Sequence, residues 1–264
     1  MTAIKMDDAV ILHFADFTKL KYLEFELLKK IAKPETSNQN LEAFAHAASH
    51  DLKEPVRKIR IFTDRLQMQL LDRLTEQDLT VFNKITNASH RMSGLIEDLL
   101  LYSKFSLVPL DKEPVDLNEN INQVIEDLEV TIQETNATIT VGDLPVVSGY
   151  KRQLHQMFQN LISNSLKYYN PEVPLRIHIS SRPSNENGKK YHLIEVRDNG
   201  MGFEQQFAEK IFQLFTRLHG SSTHTGSGVG LSTVKKVIDN HKGSIKAESK
   251  PGNGASFKVF LPFE

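Results

Sequence analysis

His50-Asp51-Leu52-Lys53-Glu54-Pro55 lies inside an apolar pattern that runs Leu41, Ala45, Ala48, Leu52, Pro55, Ile59, Phe62, Leu66 and then Gln69 or Leu70. Alternating steps of three and four are those of a coiled-coil seam and predict one long packing helix. With Ala48 and Leu52 on the seam, residue 50 is turned about 200° from Ala48, which sends His50 away from the core into water. Pro55 has two readings: a helix that stops near Lys53 and restarts at the proline, or one that continues and bends there. The seam continuing through Leu52 and Ile59 favours the bend. A polar break at 72–76 follows, and Leu79, Phe82, Ile85, Met92, Leu95 or Ile96, Leu99 and Tyr102 then repeat the stripe. Two helices on a short connection are antiparallel neighbours. They cannot enclose a core alone, so the open seam predicts a second copy of the chain and a dimeric four-helix bundle.

The chain has 264 residues, with 32 Lys+Arg against 33 Asp+Glu and a net charge of −1. It offers no basic field for nucleic acid. Cysteine is absent, which excludes disulfides and thiolate zinc sites and fits a reducing, cytoplasmic setting. No apolar run reaches the roughly 18 residues of a membrane span, and the start lacks the layout of a signal peptide. Ala9-Val10-Ile11-Leu12-His13-Phe14 reads as a strand with no sheet of its own to join, and a helical stretch from Leu20 to Ile31 follows Asp16-Phe17-Thr18. The linker at 106–114 carries two prolines and marks a boundary.

Beyond the boundary the periodicity mixes. Helices are expected at 117–134, 152–168 and 229–241, and strands at 137–142, 175–181 and 191–197. A closing hairpin of 244–248 and 256–261 turns at Pro251-Gly252-Asn253-Gly254. Interleaved in this way, they predict a two-layer α/β sandwich. On the helix Asn160-Leu161-Ile162-Ser163-Asn164-Ser165-Leu166-Lys167-Tyr168, the polar stripe Asn160, Asn164 and Lys167 offers amide oxygens suited to Mg²⁺ and an ammonium suited to phosphate. An ordinary amphipathic helix explains it equally well. Asp198-Asn199-Gly200-Met201-Gly202 follows a strand: the glycines would let a ligand approach closely, and Asp198 could accept the exocyclic amine of a purine. A simple turn is the plain alternative. Thr225-Gly226-Ser227-Gly228-Val229-Gly230-Leu231 opens a helix whose free amides favour phosphate. The late position and missing acidic follower exclude a dinucleotide fold.

At His50, an exposed imidazole is largely neutral near neutral pH and can act as a nucleophile. Asp51 can hold its other proton. A solvated histidine is the ordinary reading until other motifs displace it. His46, one turn away, could share a metal with His50, but no third ligand is apparent.

Taken in order, these motifs resemble the catalytic core of sensor histidine kinases of two-component systems: a dimerisation and histidine-phosphotransfer domain, then a Bergerat-type ATPase domain. The H box spans 44–55, the N box 160–168 and the first glycine box 198–202. The F box is Ile211-Phe212-Gln213-Leu214-Phe215, and the second glycine box spans 226–230. The resemblance divides the chain into 1–37, similar to the last strand and signalling helix of a PAS sensor domain; 38–106, the phosphotransfer domain; and 107–264, the ATPase domain. It implies His50 as phosphoacceptor with Asp51 as helper, Asn164 as the Mg²⁺ ligand with Asn160 beside it, and Lys167 and Tyr168 at phosphates and nucleoside. Asp198 would read adenine, with Ser256 through water. Gly200, Gly202, Gly226, Gly228, Gly230 and Leu231 would shape the ATP site. A mobile lid at 203–225 would dock Phe212 and Phe215 on apolar surface and offer Arg217 to phosphate. The implied partners are a second copy, a response regulator on a separate chain, and an upstream sensor domain. The H box, with Glu54-Pro55, is most similar to the phytochrome-like branch. Glu54 stands where members with strong phosphatase activity carry Thr or Asn, which implies weak phosphatase activity. The gyrase- and chaperone-like clamps of the same fold place a glutamate where Asn160 stands, and an amide cannot act as their base. The remaining alternative is a dimeric scaffold that binds ATP without transferring phosphate.

Overall fold

The computed structural model describes residues 38–70, 74–104, 111–186, 188–218 and 227–263, and in the first two helices the side chains of 52–70, 74–100 and 102. The expectations for 1–37 lie outside these residues, as do the side chains of His46, His50 and Asp51. The chain divides into two compact units, Met1–Phe44 and Ala45–Glu264. Of the first, 38–44 are described and are helical.

Helix α1 (Asn38–Leu70) runs through Pro55 without interruption, so the reading in which a new helix starts at the proline is overturned. The proline ring removes one internal hydrogen bond, and the helix continues past it to Leu70. Helix α2 (Glu76–Lys104) starts at a Thr75/Asp78 capping pair: the Asp78 carboxylate accepts the Thr75 amide at 2.9 Å, and the Thr75 hydroxyl accepts the Asp78 amide at 3.2 Å. Val56, Thr63, Ser89, Ile96 and Leu99 are buried, whereas the expected seam residues Phe62, Leu66 and Ile85 are exposed on this single chain.

The second region opens with strand β1 (Glu113–Asp116), where a linker was expected to end. Its antiparallel partner is β3 (Val146–Gly149), and the two make a small separate sheet. The single helix expected over 117–134 is two, α3 (Leu117–Asp127) and α4 (Glu129–Thr135), broken at Leu128. Strands β2 (Thr138–Val141), β4 (Arg176–Glu186), β5 (Lys189–Asp198), β6 (Ser244–Ser249) and β7 (Ala255–Pro262) form one sheet in the order β2-β4-β5-β7-β6. The β2–β4 pair is parallel and the others are antiparallel.

One face of this sheet carries the core. Ile177 and Ile179 of β4, Ile194 and Val196 of β5, and Phe257 and Val259 of β7 are buried there. Helices α5 (Lys151–Lys167) and α6 (Gly230–Asn240) complete the cluster with Leu154, Phe158, Leu161, Ile162, Val234 and Ile238. Each such fully buried side chain contributes about 1.5–3 kcal/mol. A helical hairpin followed by a two-layer α/β sandwich is the architecture expected from the sequence. Among the described residues no helix is long and apolar enough to cross a membrane.

Candidate functional site

Strand β5 ends on Asp198, with Ile177 as its register partner on β4. The strand period that buries Ile194 and Val196 carries Asp198 to the same inward face. There its Oδ1 accepts the Gly200 amide at 2.9 Å and the Ala255 amide at 3.2 Å, and its Oδ2 accepts the Ser165 hydroxyl at 3.0 Å. Burial pushes this carboxyl above the ordinary carboxylate range, against the opposing pull of the hydrogen bonds from Gly200, Ser165 and Ala255.

Asp198 borders a cavity whose wall also includes Asn164 and Tyr168 from the end of α5, Gly202, Arg217 and Leu231. Ile211, Leu218 and Phe257 give it an apolar side. An apolar slot with one buried carboxylate suits a flat heterocycle that presents a hydrogen-bond donor. One turn before Asn164, Asn160 accepts from the Gln156 amide at 3.4 Å and faces Gly230, where an added Cβ would lie 3.6 Å from its oxygen. The Lys167 ammonium sits 4.8 Å from the centroid of the Tyr168 ring. Among the described residues no side chain caps the start of α6, and first-turn amides of a helix favour an anion. Carboxamides are hard oxygen donors of the kind Mg²⁺ accepts. Asn164 at the cavity therefore fits that ion.

Packing also constrains the glycines. At Gly200 a Cβ would meet the Tyr168 carbonyl oxygen at 2.5 Å, and at Gly202, with φ of +62°, it would strike the Lys250 carbonyl. Close backbone packing around Asp198 requires them to be glycines, and Gly202 also lines the cavity. Gly228 has φ of +75° and accepts the Phe215 amide at 3.0 Å, so the stretch 211–215 is tied to the start of α6. Phe215 itself has φ of 62°, and Phe212 packs edge-on to Phe257 at 6.5 Å between centroids. Gly226 lies outside the described residues, as does the 219–225 part of the expected lid.

Ser256 is a correction. Alternation along β7 puts Ala255 and Phe257 at the cavity and turns Ser256 to the opposite face, where its hydroxyl donates to Glu195 Oε1 at 2.5 Å. The hydroxyl that does reach Asp198 comes from Ser165, which the sequence reading passed over. Its signal was a polar residue at a helix position that the period assigns to the core. A second residue passed over is Asp98 of α2. Burial raises its carboxyl, while a hydrogen bond from the Ser227 side chain and the charge of Lys167 act in the opposite direction.

Two family models match the chain: the His Kinase A (phospho-acceptor) domain over residues 40–106, and the histidine kinase-, DNA gyrase B- and HSP90-like ATPase over residues 149–264. The chain is 36% identical over 228 residues to cyanobacterial phytochrome A of Nostoc sp., covering 86% of this chain and 29% of that protein. It is 34% identical over 237 residues to the phytochrome-like protein Cph1 of Synechocystis sp., covering 90% and 31%. The chain thus spans under a third of the length of these two relatives. In fold it is similar to full-length ShkA in complex with AMPPNP, with a TM-score of 0.61 at 20% identity over 84% of this chain and 46% of that one. With a phospho-acceptor domain followed by an ATPase domain of this kind, and with phytochrome-like relatives over most of its length, the chain belongs to the sensor histidine kinases.

Proposed function

We propose that this chain is a kinase core that phosphorylates its own His50 from Mg-ATP and then passes the phosphoryl group to an aspartate of a response regulator. The observation that carries the reading is the buried Asp198 carboxylate on a cavity shared with Asn164, in a chain whose separate helical hairpin bears His50. We assign 38–106 to dimerisation and phosphotransfer and 107–264 to ATP binding. We read 1–37 as the end of an upstream sensor region.

In this reading Asp198 accepts the adenine amine, and the apolar wall of Ile211 and Phe257 sandwiches the base. Tyr168 borders the nucleoside, while Lys167, Arg217 and the open amides at the start of α6 neutralise phosphate charge. Asn164, with Asn160 beside it, would hold Mg²⁺, which supplies further charge neutralisation at the phosphates. An imidazole nitrogen of His50 then bonds to the terminal phosphorus as the bond to the ADP oxygen breaks, with Asp51 taking up the imidazole proton. The protein contributes positioning and charge more than covalent chemistry. At Asn160 an amide cannot deprotonate water, which favours transfer over hydrolysis. The seam of Phe62, Leu66 and Ile85 meets a second copy, and the protein works in the cytoplasm, where Mg-ATP is supplied.

The test is incubation with γ-labelled ATP and Mg²⁺, followed by acid and alkali treatment, for the wild type and His50→Gln. Label that survives alkali, is lost in acid and is missing from the variant is expected. ATP binding without label would overturn the kinase reading in favour of a scaffold.

A further inference from the structure

Ser165 sits one residue beyond Asn164 on the inward face of α5 and is only 3% exposed. Its hydroxyl lies 3.0 Å from Asp198 Oδ2 and 3.3 Å from the Leu161 carbonyl oxygen. It has one proton to give, and the carboxylate is both the nearer and the stronger acceptor. The other carboxylate oxygen is held by the amides of Gly200 and Ala255. Three donors therefore fix the carboxylate, and Oδ2 keeps a lone pair for one more. Ser165 and Asp198 line the same cavity.

We propose that Ser165 is a positioning residue for base selection: its hydroxyl holds Asp198 as an oriented, acceptor-only carboxylate, so the cavity takes a purine with an exocyclic amine and rejects one with a carbonyl there. The inference rests on reading the cavity as an ATP site. A 6-amino group donates to Oδ2, whereas a 6-carbonyl sets oxygen against oxygen. That discrimination collapses if Asp198 carries a proton, because its O–H would then serve the carbonyl. Burial drives Asp198 toward the protonated form, and the bonds from Gly200, Ser165 and Ala255 oppose it. Of the three, the Ser165 bond alone comes from a side chain. The charged or titratable neighbours on the cavity wall are Tyr168 from the end of α5 and Arg217 from the segment after β5. Neither is among the causes of the Asp198 shift.

The experiment is calorimetric titration of the full chain with Mg-ATP and with Mg-ITP, the 6-carbonyl counterpart, for wild type, Ser165→Ala and Ser165→Thr. Ser165→Ala, close to isosteric, is expected to cut the preference for ATP over ITP by about tenfold, and Ser165→Thr, which keeps the hydroxyl, to restore most of it. A merely structural role would weaken both nucleotides together and leave their ratio unchanged, and that result overturns the proposal while leaving the ATP site standing. Wild type that binds neither nucleotide overturns the site reading and the proposal with it.

Discussion

Asp198→Asn replaces an acceptor that faces the cavity with a group able to present N–H there, at nearly constant volume. The two backbone amides can still bond the remaining oxygen, and the Ser165 hydroxyl can turn to accept, so the fold should survive. ATP affinity should fall by at least about tenfold, roughly 1.4 kcal/mol, as read by calorimetry. The pH response carries two opposite signs. Because burial raises the folded-state value above the unfolded one, the native chain binds more protons in the interval between them. The associated stability is present at low pH and lost as pH rises through the folded value. ATP binding needs the unprotonated acceptor and weakens as pH falls through the same interval. Denaturant midpoints and ATP titrations across this interval should diverge in the wild type, and Asp198→Asn should remove both of these contributions. A different residue sets stability away from the cavity. His241, 2% exposed, donates from Nδ1 to the Val237 carbonyl at 2.7 Å and accepts the Tyr150 amide on Nε2 at 3.0 Å, joining the end of α6 to the start of α5. His241→Ala leaves that amide without its partner and opens a void, and should cost about 2–4 kcal/mol in urea unfolding.

Among the elements, α1 carries a built-in weakness. Pro55→Ala restores an internal hydrogen bond and should stabilise the helix by up to about 3 kcal/mol, raising the thermal midpoint of the hairpin. If bending near His50 is part of phosphotransfer, the same variant labels more slowly; an unchanged labelling rate would leave the proline without a role in the reaction. The α2 element reaches the stretches proposed to meet phosphate through Asp98, which takes the Ser227 hydroxyl and feels Lys167. Both groups belong to stretches assigned to phosphate, so Asp98→Asn should lower the ATP concentration needed for half-maximal labelling by a few-fold. The long helices were legible from the sequence because their apolar period repeats over many turns. The break at Leu128 was not, since an ordinary leucine with φ −101° and ψ 7° ends α3 with no glycine or proline to announce it. Nor was the β1–β3 pair, where four-residue strands some thirty positions apart meet only through tertiary packing. Ser256 shows how fragile site assignment is on a strand: a slip of one residue moves a side chain to the other face. The placement of Asp198 at a strand end and of Asn164 on a polar helix stripe was legible because both are fixed locally, and the structure brings the two to one cavity. The hydrogen bond between Ser165 and Asp198 spans 33 positions and depends on how α5 lies against the sheet.

At the scale of the whole molecule, the hairpin buries one apolar face and leaves another in water. Phe62 is 56% exposed and Leu66 and Ile85 are each 40% exposed, whereas Val56 and Ile96 are nearly covered. Evolutionary accident is a poor account of three large apolar side chains spaced along one hairpin at the period of a packing seam. A second copy arranged about a two-fold axis would cover six of them, three from each chain. Completing the burial of each half-exposed side chain is worth roughly 1 kcal/mol, and ordering two chains costs at least about 4 kcal/mol, so the pair depends on most of these contacts together. Phe62→Glu removes apolar area from both copies and, near the axis, sets like charges against each other. Sedimentation at micromolar concentration should show a dimer for the wild type and a monomer for this variant, with ATP affinity unchanged because the cavity lies in the α/β sandwich. Labelling then separates two arrangements. If His50 is served by the ATPase domain of the other copy, the monomer binds ATP and takes no label; if it is served within its own chain, the monomer still labels. A variant that stays dimeric would instead place the pairing surface elsewhere on the hairpin.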